Sequence, residues 1–197
     1  MLYRKLLLGL SVAAAVGMNH VAVGAPITYQ FTGSLTGELG TDTLTDEPFT
    51  LTVQADTDNI TAFSDGLEVV PDSSTFEFAN LNGGTTAVVT SPTLIFVNTT
   101  FGTFGFGNGN GQFDLFILGD PAFAAYDLST PLSVSNPTFA DILDNGVNAN
   151  SPLLTDVGEL GVAADFDTTL SFNAVPEPTS LALLGLGGLA LFARRQR

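Results

Sequence analysis

From Ala25 to Val175 the side chains able to move a proton or hold a cation are carboxylates and two tyrosines, Tyr29 and Tyr126. No Lys or Arg occurs in that stretch, the one histidine (His20) precedes it, and the chain has no cysteine. These absences exclude a Ser-His-Asp triad, a Cys nucleophile, a Schiff-base lysine and a His/Cys zinc site. There is no cation to clamp phosphate, and the negative charge repels nucleic acid, so no nucleic-acid partner is expected. Carboxylate chemistry remains. Asp56-Thr57-Asp58-Asn59 offers oxygens at alternate positions, which makes Asp56, Asp58 and Asn59 candidate ligands for Ca2+. No Gly at the sixth position and no downstream Glu complete a helical calcium loop. Asp165 with Asp167, and Asp114 with Asp120, are looser pairings of the same kind. Glycoside hydrolysis needs only two carboxylates at a set separation. Among this many, such a pair arises by chance, and groups to position a sugar are scarce. The region reads as non-enzymatic and no cofactor is expected, Ca2+ being the possibility its carboxylates leave open.

Charge placement says more than its sum. The chain carries 20 acidic and 5 basic residues, a formal net charge of −15. The basic ones are Arg4, Lys5, Arg194, Arg195 and Arg197, all at the two ends, and every acidic residue but Glu177 lies between Ala25 and Val175. At the N-terminus, Arg4 and Lys5 precede the apolar run Leu6–Gly17, and Ala22 and Gly24 follow at the spacing a signal peptidase reads. This is the build of a secretory signal peptide over residues 1–24, with cleavage between Gly24 and Ala25. A cut one residue later would leave Pro26 directly beyond it. Export through the Sec translocon permits disulfides, but without cysteine the domain must hold together by its core.

The C-terminal region, residues 175–197, begins Val175-Pro176-Glu177-Pro178, continues through the apolar Thr179–Ala193, and closes on Arg194-Arg195-Gln196-Arg197. The prolines stop a helix from entering the motif from the domain side and leave a stiff, extended strip. Leu181–Ala193 would span about 20 Å as a helix, against about 30 Å of hydrocarbon. It is a poor permanent anchor. The arginines would stay cytoplasmic. Motif, marginal span and basic tail in this order resemble the PEP-CTERM sorting signal of Gram-negative bacteria. The resemblance implies recognition by an exosortase, a polytopic membrane peptidase with a catalytic cysteine. That enzyme is thought to cut near the motif and pass the protein from the inner membrane towards the cell surface, outer envelope or medium. Its substrates often come from biofilm-forming organisms that make exopolysaccharide.

Between these signals, residues 25–174 must form the working body. Thr, Gly, Phe, Val, Asn and Asp dominate, favouring strands and tight turns. Ile27, Tyr29 and Phe31 alternate with polar residues, as do Phe49, Leu51 and Val53, and Leu170 with Phe172. Further strands are expected at Thr75–Asn80, Thr85–Thr90, Thr93–Thr99, Gly102–Gly107 and Gln112–Leu118, with turns at Asp65-Gly66, Asn82-Gly83 and Asn145-Gly146. Asp120-Pro121 and Asn136-Pro137 predict short helices over Ala122–Tyr126 and Thr138–Asp144. Fifteen of the 16 phenylalanines precede Phe192 of the tail, and their strand spacing predicts a core and not a sugar-stacking surface. The expectation is an all-β fold, an antiparallel sandwich or jelly roll with one or two short helices, flanked by a signal helix and a C-terminal hydrophobic helix. Its expected role is structural or adhesive at the cell surface or in an extracellular matrix. The alternative is a Ca2+-dependent module binding extracellular polysaccharide.

Overall fold

Alternation of apolar with Thr, Gln and Ser side chains forces one face of each segment inward and the other to water, and two such sheets bury their apolar faces together. The computed structural model describes residues 24–109, 114–142, 153–165 and 169–177. The first half comprises β1 (Pro26–Leu39), β2 (Asp42–Asp56), β3 (Ile60–Phe63), β4 (Gly66–Val69), β5 (Ser73–Phe78), β6 (Thr85–Val88) and β7 (Thr93–Asn98). The second comprises β8 (Thr103–Asn108), β9 (Asp114–Gly119), β10 (Leu132–Val134), β11 (Phe139–Ile142), β12 (Leu153–Thr155), β13 (Gly158–Val162) and β14 (Ser171–Pro176). One sheet runs β10-β14-β1-β2-β5-β6, with β13 beside the far half of β1 and β12 beside β13; the other runs β11-β9-β8-β7-β4-β3. Every pairing is antiparallel.

The long strand β1 organises the first sheet. Gly40 turns the chain into β2 at a φ of 60°, a conformation glycine takes without strain. Residues 27–32 of β1 pair with β14, and residues 37–39 with β13. Gly37 is needed where β13 crosses, because a Cβ there would sit 2.1 Å from the Gly161 carbonyl oxygen. Between the sheets the phenylalanines meet. Phe31 lies 5.6, 6.2 and 5.9 Å from Phe104, Phe106 and Phe116 of the opposite sheet, and Phe49 stacks on Phe116 at 5.2 Å. Such ring pairs contribute about 0.5–1.5 kcal/mol each beyond area burial. Phe31, Phe76, Phe104, Phe106, Phe116, Phe123 and Phe172 are all fully buried, so these phenylalanines are core as their spacing predicts, whereas Phe101 is exposed.

The helical expectations divide. Pro121–Ala125 forms a 3-10 turn, capped as foreseen by the Asp120 carboxylate, which accepts the Ala122 N–H at 2.9 Å. Thr138–Asp144 is not helical over its described part. Phe139–Ile142 is strand β11, paired along β9, with Ala140 and Ile142 buried and Phe139 and Asp141 less so. Period-two burial against an open sheet edge outweighs the cap-and-proline signal at Asn136-Pro137. The expected signal and C-terminal helices, and the Asn145-Gly146 turn, lie outside the described residues. Among those residues no helix is long and apolar enough to cross a membrane.

Candidate functional site

The sorting strip starts inside the sheet. Phe172 and Ala174 are buried on the core face of β14, which seats the strand firmly, whereas Val175 is half exposed and Glu177 exposed. Pro176 opposes Ile27, Val175 opposes Thr28, and the Glu177 N–H donates to the Pro26 carbonyl at 2.8 Å. That bond, on the far side of the Ile27–Pro176 pair, makes it a pair without direct ladder bonds, so the N–H that Pro176 lacks is not missed. On its other side β14 is paired by β10 only from Phe172 to Ala174. Among the described residues no strand covers the outer edge of Val175 and Pro176.

The expected signal-cleavage pair lies beside the same exit. The Ala25 N–H donates to Thr57 Oγ1 at 2.9 Å, the Thr57 N–H returns a bond to the Ala25 carbonyl at 3.2 Å, and the Gly24 N–H reaches Asp58 Oδ2 at 2.6 Å. Asp56 caps the 3-10 turn Thr57–Asn59, its Oδ1 accepting the Asp58 N–H at 2.9 Å. The tertiary structure thus gathers at one pole the expected cleavage pair Gly24–Ala25, the strip Val175–Glu177 and the candidate ligands Asp56, Asp58 and Asn59. Pro178, Arg194, Arg195 and Arg197 lie outside the described residues.

The carboxylates do not assemble further. Asp56 and Asp58 spend oxygens on backbone N–H groups, and among the described residues no three His, Cys, Asp or Glu side chains converge on a metal position. Asp114 and Asp120 flank the two ends of β9, about 20 Å apart along the strand. Asp165 bridges Ile142 through its backbone, and Asp167 lies outside the described residues. Clefts of about 410, 290 and 210 Å³ contain Glu77, Asp120 and no carboxylate respectively. Burial raises the Asp114 carboxyl. Burial also works to raise Asp127, but hydrogen bonds from Ser129 and Thr130 outweigh it and hold that carboxyl below the usual range. Tyr29 and Tyr126 are pushed far up, by burial first and then by Asp127 (and for Tyr126 by Tyr29 too), so both stay protonated. Tyr29 donates its hydroxyl to the Leu128 carbonyl.

One carboxylate escaped the reading of the sequence. Glu47 is buried, and its Oε1 accepts the N–H groups of Asn80 and Leu81 at 2.6 and 3.0 Å. The only signal was its place two residues before Phe49, on the apolar face of β2.

No curated protein and no solved structure matches the chain. Residues 174–197 match the family model described as the PEP-CTERM protein-sorting motif, and the match opens at Ala174, the last residue that β10 and β1 hold between them. The chain carries the PEP-CTERM sorting motif, the signal of an exosortase substrate.

Proposed function

We propose that this is a non-enzymatic component of the cell surface or extracellular matrix, an acidic β-sandwich delivered there by its sorting motif. The observation that carries the reading is the motif itself, joined without a linker to the last strand of the sandwich. The route begins at the Sec translocon and signal peptidase, which frees Ala25. The precursor rests in the inner membrane by its apolar tail until an exosortase cuts near Val175–Pro178. With the signal segment removed, the sandwich hangs from the end of β14 alone, next to the freed Ala25. What supports a structural or adhesive role, with extracellular polysaccharide as the neighbouring material, is the acidic, cation-attracting composition of the domain. The Ca2+-dependent module is the second reading: Asp56 gives one oxygen to the Asp58 N–H, and among the described residues no third acidic side chain joins these two.

The test is processing in the native host with a tag after Arg197. Replacing Pro176 and Pro178 with Ala lets helix compete with strand through the motif, and Glu177→Gln removes the charge while keeping the shape. Each should leave a tagged precursor in the inner membrane, while the wild type loses its tag. Wild-type protein that keeps the tag at the surface would mean a plain anchor.

A further inference from the structure

Resting on the exosortase reading, we propose that Pro26–Thr28 form a latch on the sorting strip, and that the peptidase gains Val175–Glu177 only after the end of β14 peels from β1. Strand register directs the strip's backbone groups inward. The Glu177 N–H is spent on the Pro26 carbonyl, and the parity of the ladder turns the N–H and carbonyl of Val175 towards Thr28. On the open edge the strip presents the Pro176 carbonyl and no donor, since proline has none. A peptidase that takes its substrate as an added strand finds one backbone acceptor there and little else to grasp.

Reach gives a second reason. Pro178–Ser180 alone separate Glu177 from the apolar run at Leu181. Fully extended, those three residues span about 10 Å, so a latched sandwich sits against any membrane-embedded enzyme that must engage the strip. Peeling Val175–Glu177 roughly doubles that reach.

The peel has a defined extent. Val175 is half exposed and the Thr28 hydroxyl contact to Glu177 is long, at 3.5 Å, so little holds the end beyond its ladder bonds. Ala174 is buried and paired on both sides, by Tyr29 and by Leu132, which stops the opening there. The latch strand stays put because Thr57 holds Ala25 independently of β14, its hydroxyl accepting the Ala25 N–H and its own N–H donating to the Ala25 carbonyl.

Cross-strand disulfides test the latch in the full-length, tail-tagged protein, whose own sequence has no cysteine to compete. Thr28 with Val175 and Gln30 with Asn173 are both hydrogen-bonded pairs by register, with Cα atoms about 5.5 Å apart, within disulfide range. Thr28→Cys with Val175→Cys would lock the strip, while Gln30→Cys with Asn173→Cys would tie the same strands and leave the strip free. Thiol labelling separates crosslinked from reduced molecules within each sample, so the two forms are compared directly during a chase in the host. The expected result is that the crosslinked outer pair stays uncut, that its reduced form is cut, and that the inner pair is cut whether crosslinked or not. Cutting of the crosslinked outer pair at the rate of its reduced form would overturn the latch. Loss of cutting in the reduced outer pair would overturn it too, by showing that the Val175 side chain is what matters. So would loss of cutting in both crosslinked pairs. Failure of the wild type to be cut at all would instead remove the exosortase reading beneath it.

Discussion

Replacing Glu47 with alanine should destabilise the sandwich far more than replacing it with glutamine. Both changes remove one negative charge from a domain without a basic side chain, so general relief of repulsion cancels between them. They differ in what becomes of the Asn80 and Leu81 N–H groups, now bonded to Glu47 Oε1 at 2.6 and 3.0 Å. Glutamine keeps an acceptor oxygen at that place, and the loss is of charge assistance, about 1 kcal/mol. Alanine leaves two donors facing a partly buried gap, and each unmet donor costs about 1–3 kcal/mol. Because the two bonds are only partly buried, the lower half of that range applies, for a total of about 2–4 kcal/mol. A domain of this size loses about 2–4 °C per kcal/mol, so the alanine variant should melt about 5–15 °C below wild type. Urea unfolding of the mature protein followed by circular dichroism gives the free energies. Amide exchange at Asn80 and Leu81 gives the local cause. Equal stability of the two variants, within about 0.5 kcal/mol, would refute the reasoning by showing that water satisfies those donors as well as the carboxylate does.

Phe104 and Phe101 lie three residues apart and should behave as opposites. Phe104→Ala removes a ring 4.2 Å from Phe172 and 5.3 Å from Phe123 and should cost about 3–5 kcal/mol in chemical denaturation, whereas Phe101, 75 % exposed, should tolerate alanine within about 0.5 kcal/mol. Asp127 and Asp114 should give pH dependences of opposite sign. The lowered Asp127 carboxyl contributes stability that is present above the unfolded aspartate range and lost as pH falls through its folded value, so Asp127→Asn should weaken the protein at neutral pH and match wild type in acid. The raised Asp114 carboxyl penalises the folded state as pH rises through and above that range, so Asp114→Asn should be neutral in acid and stabilising at pH 7, both read from melting curves. With no basic side chain from Ala25 to Val175, raising salt from about 0.01 to 0.1 M, which shortens the screening length from about 30 to 10 Å, should raise the melting temperature. A flat response in calorimetry would mean the carboxylates are too dispersed to repel one another.

The sequence by itself settled whatever depends on composition and near neighbours. No side-chain ion pair can form within a stretch that has no basic residue. Alternation at Ile27–Phe31 and Phe49–Val53 demanded half-buried strands, and the phenylalanines at those spacings had to be core. The sorting motif was legible because its prolines, apolar run and arginines are contiguous. Local signals failed where a neighbour distant in sequence decided the outcome. Asn136-Pro137 reads as a helix start, yet the free edge of β9 drew Phe139–Ile142 into a strand, because ladder bonds and the burial of Ala140 and Ile142 outweigh a cap. Nothing local set Glu47 apart from the other carboxylates; the fold aims it at the backbone of Asn80 and Leu81. The union of the two ends is of the same kind. Nothing local in Pro26–Thr28 or in Val175–Glu177 says that they touch. Only when Tyr29 and Phe31 must share a core with Phe172 and Ala174 does antiparallel register carry the ladder outward and close Pro26 upon Glu177, because a slip of one residue would turn every buried side chain of β14 to water.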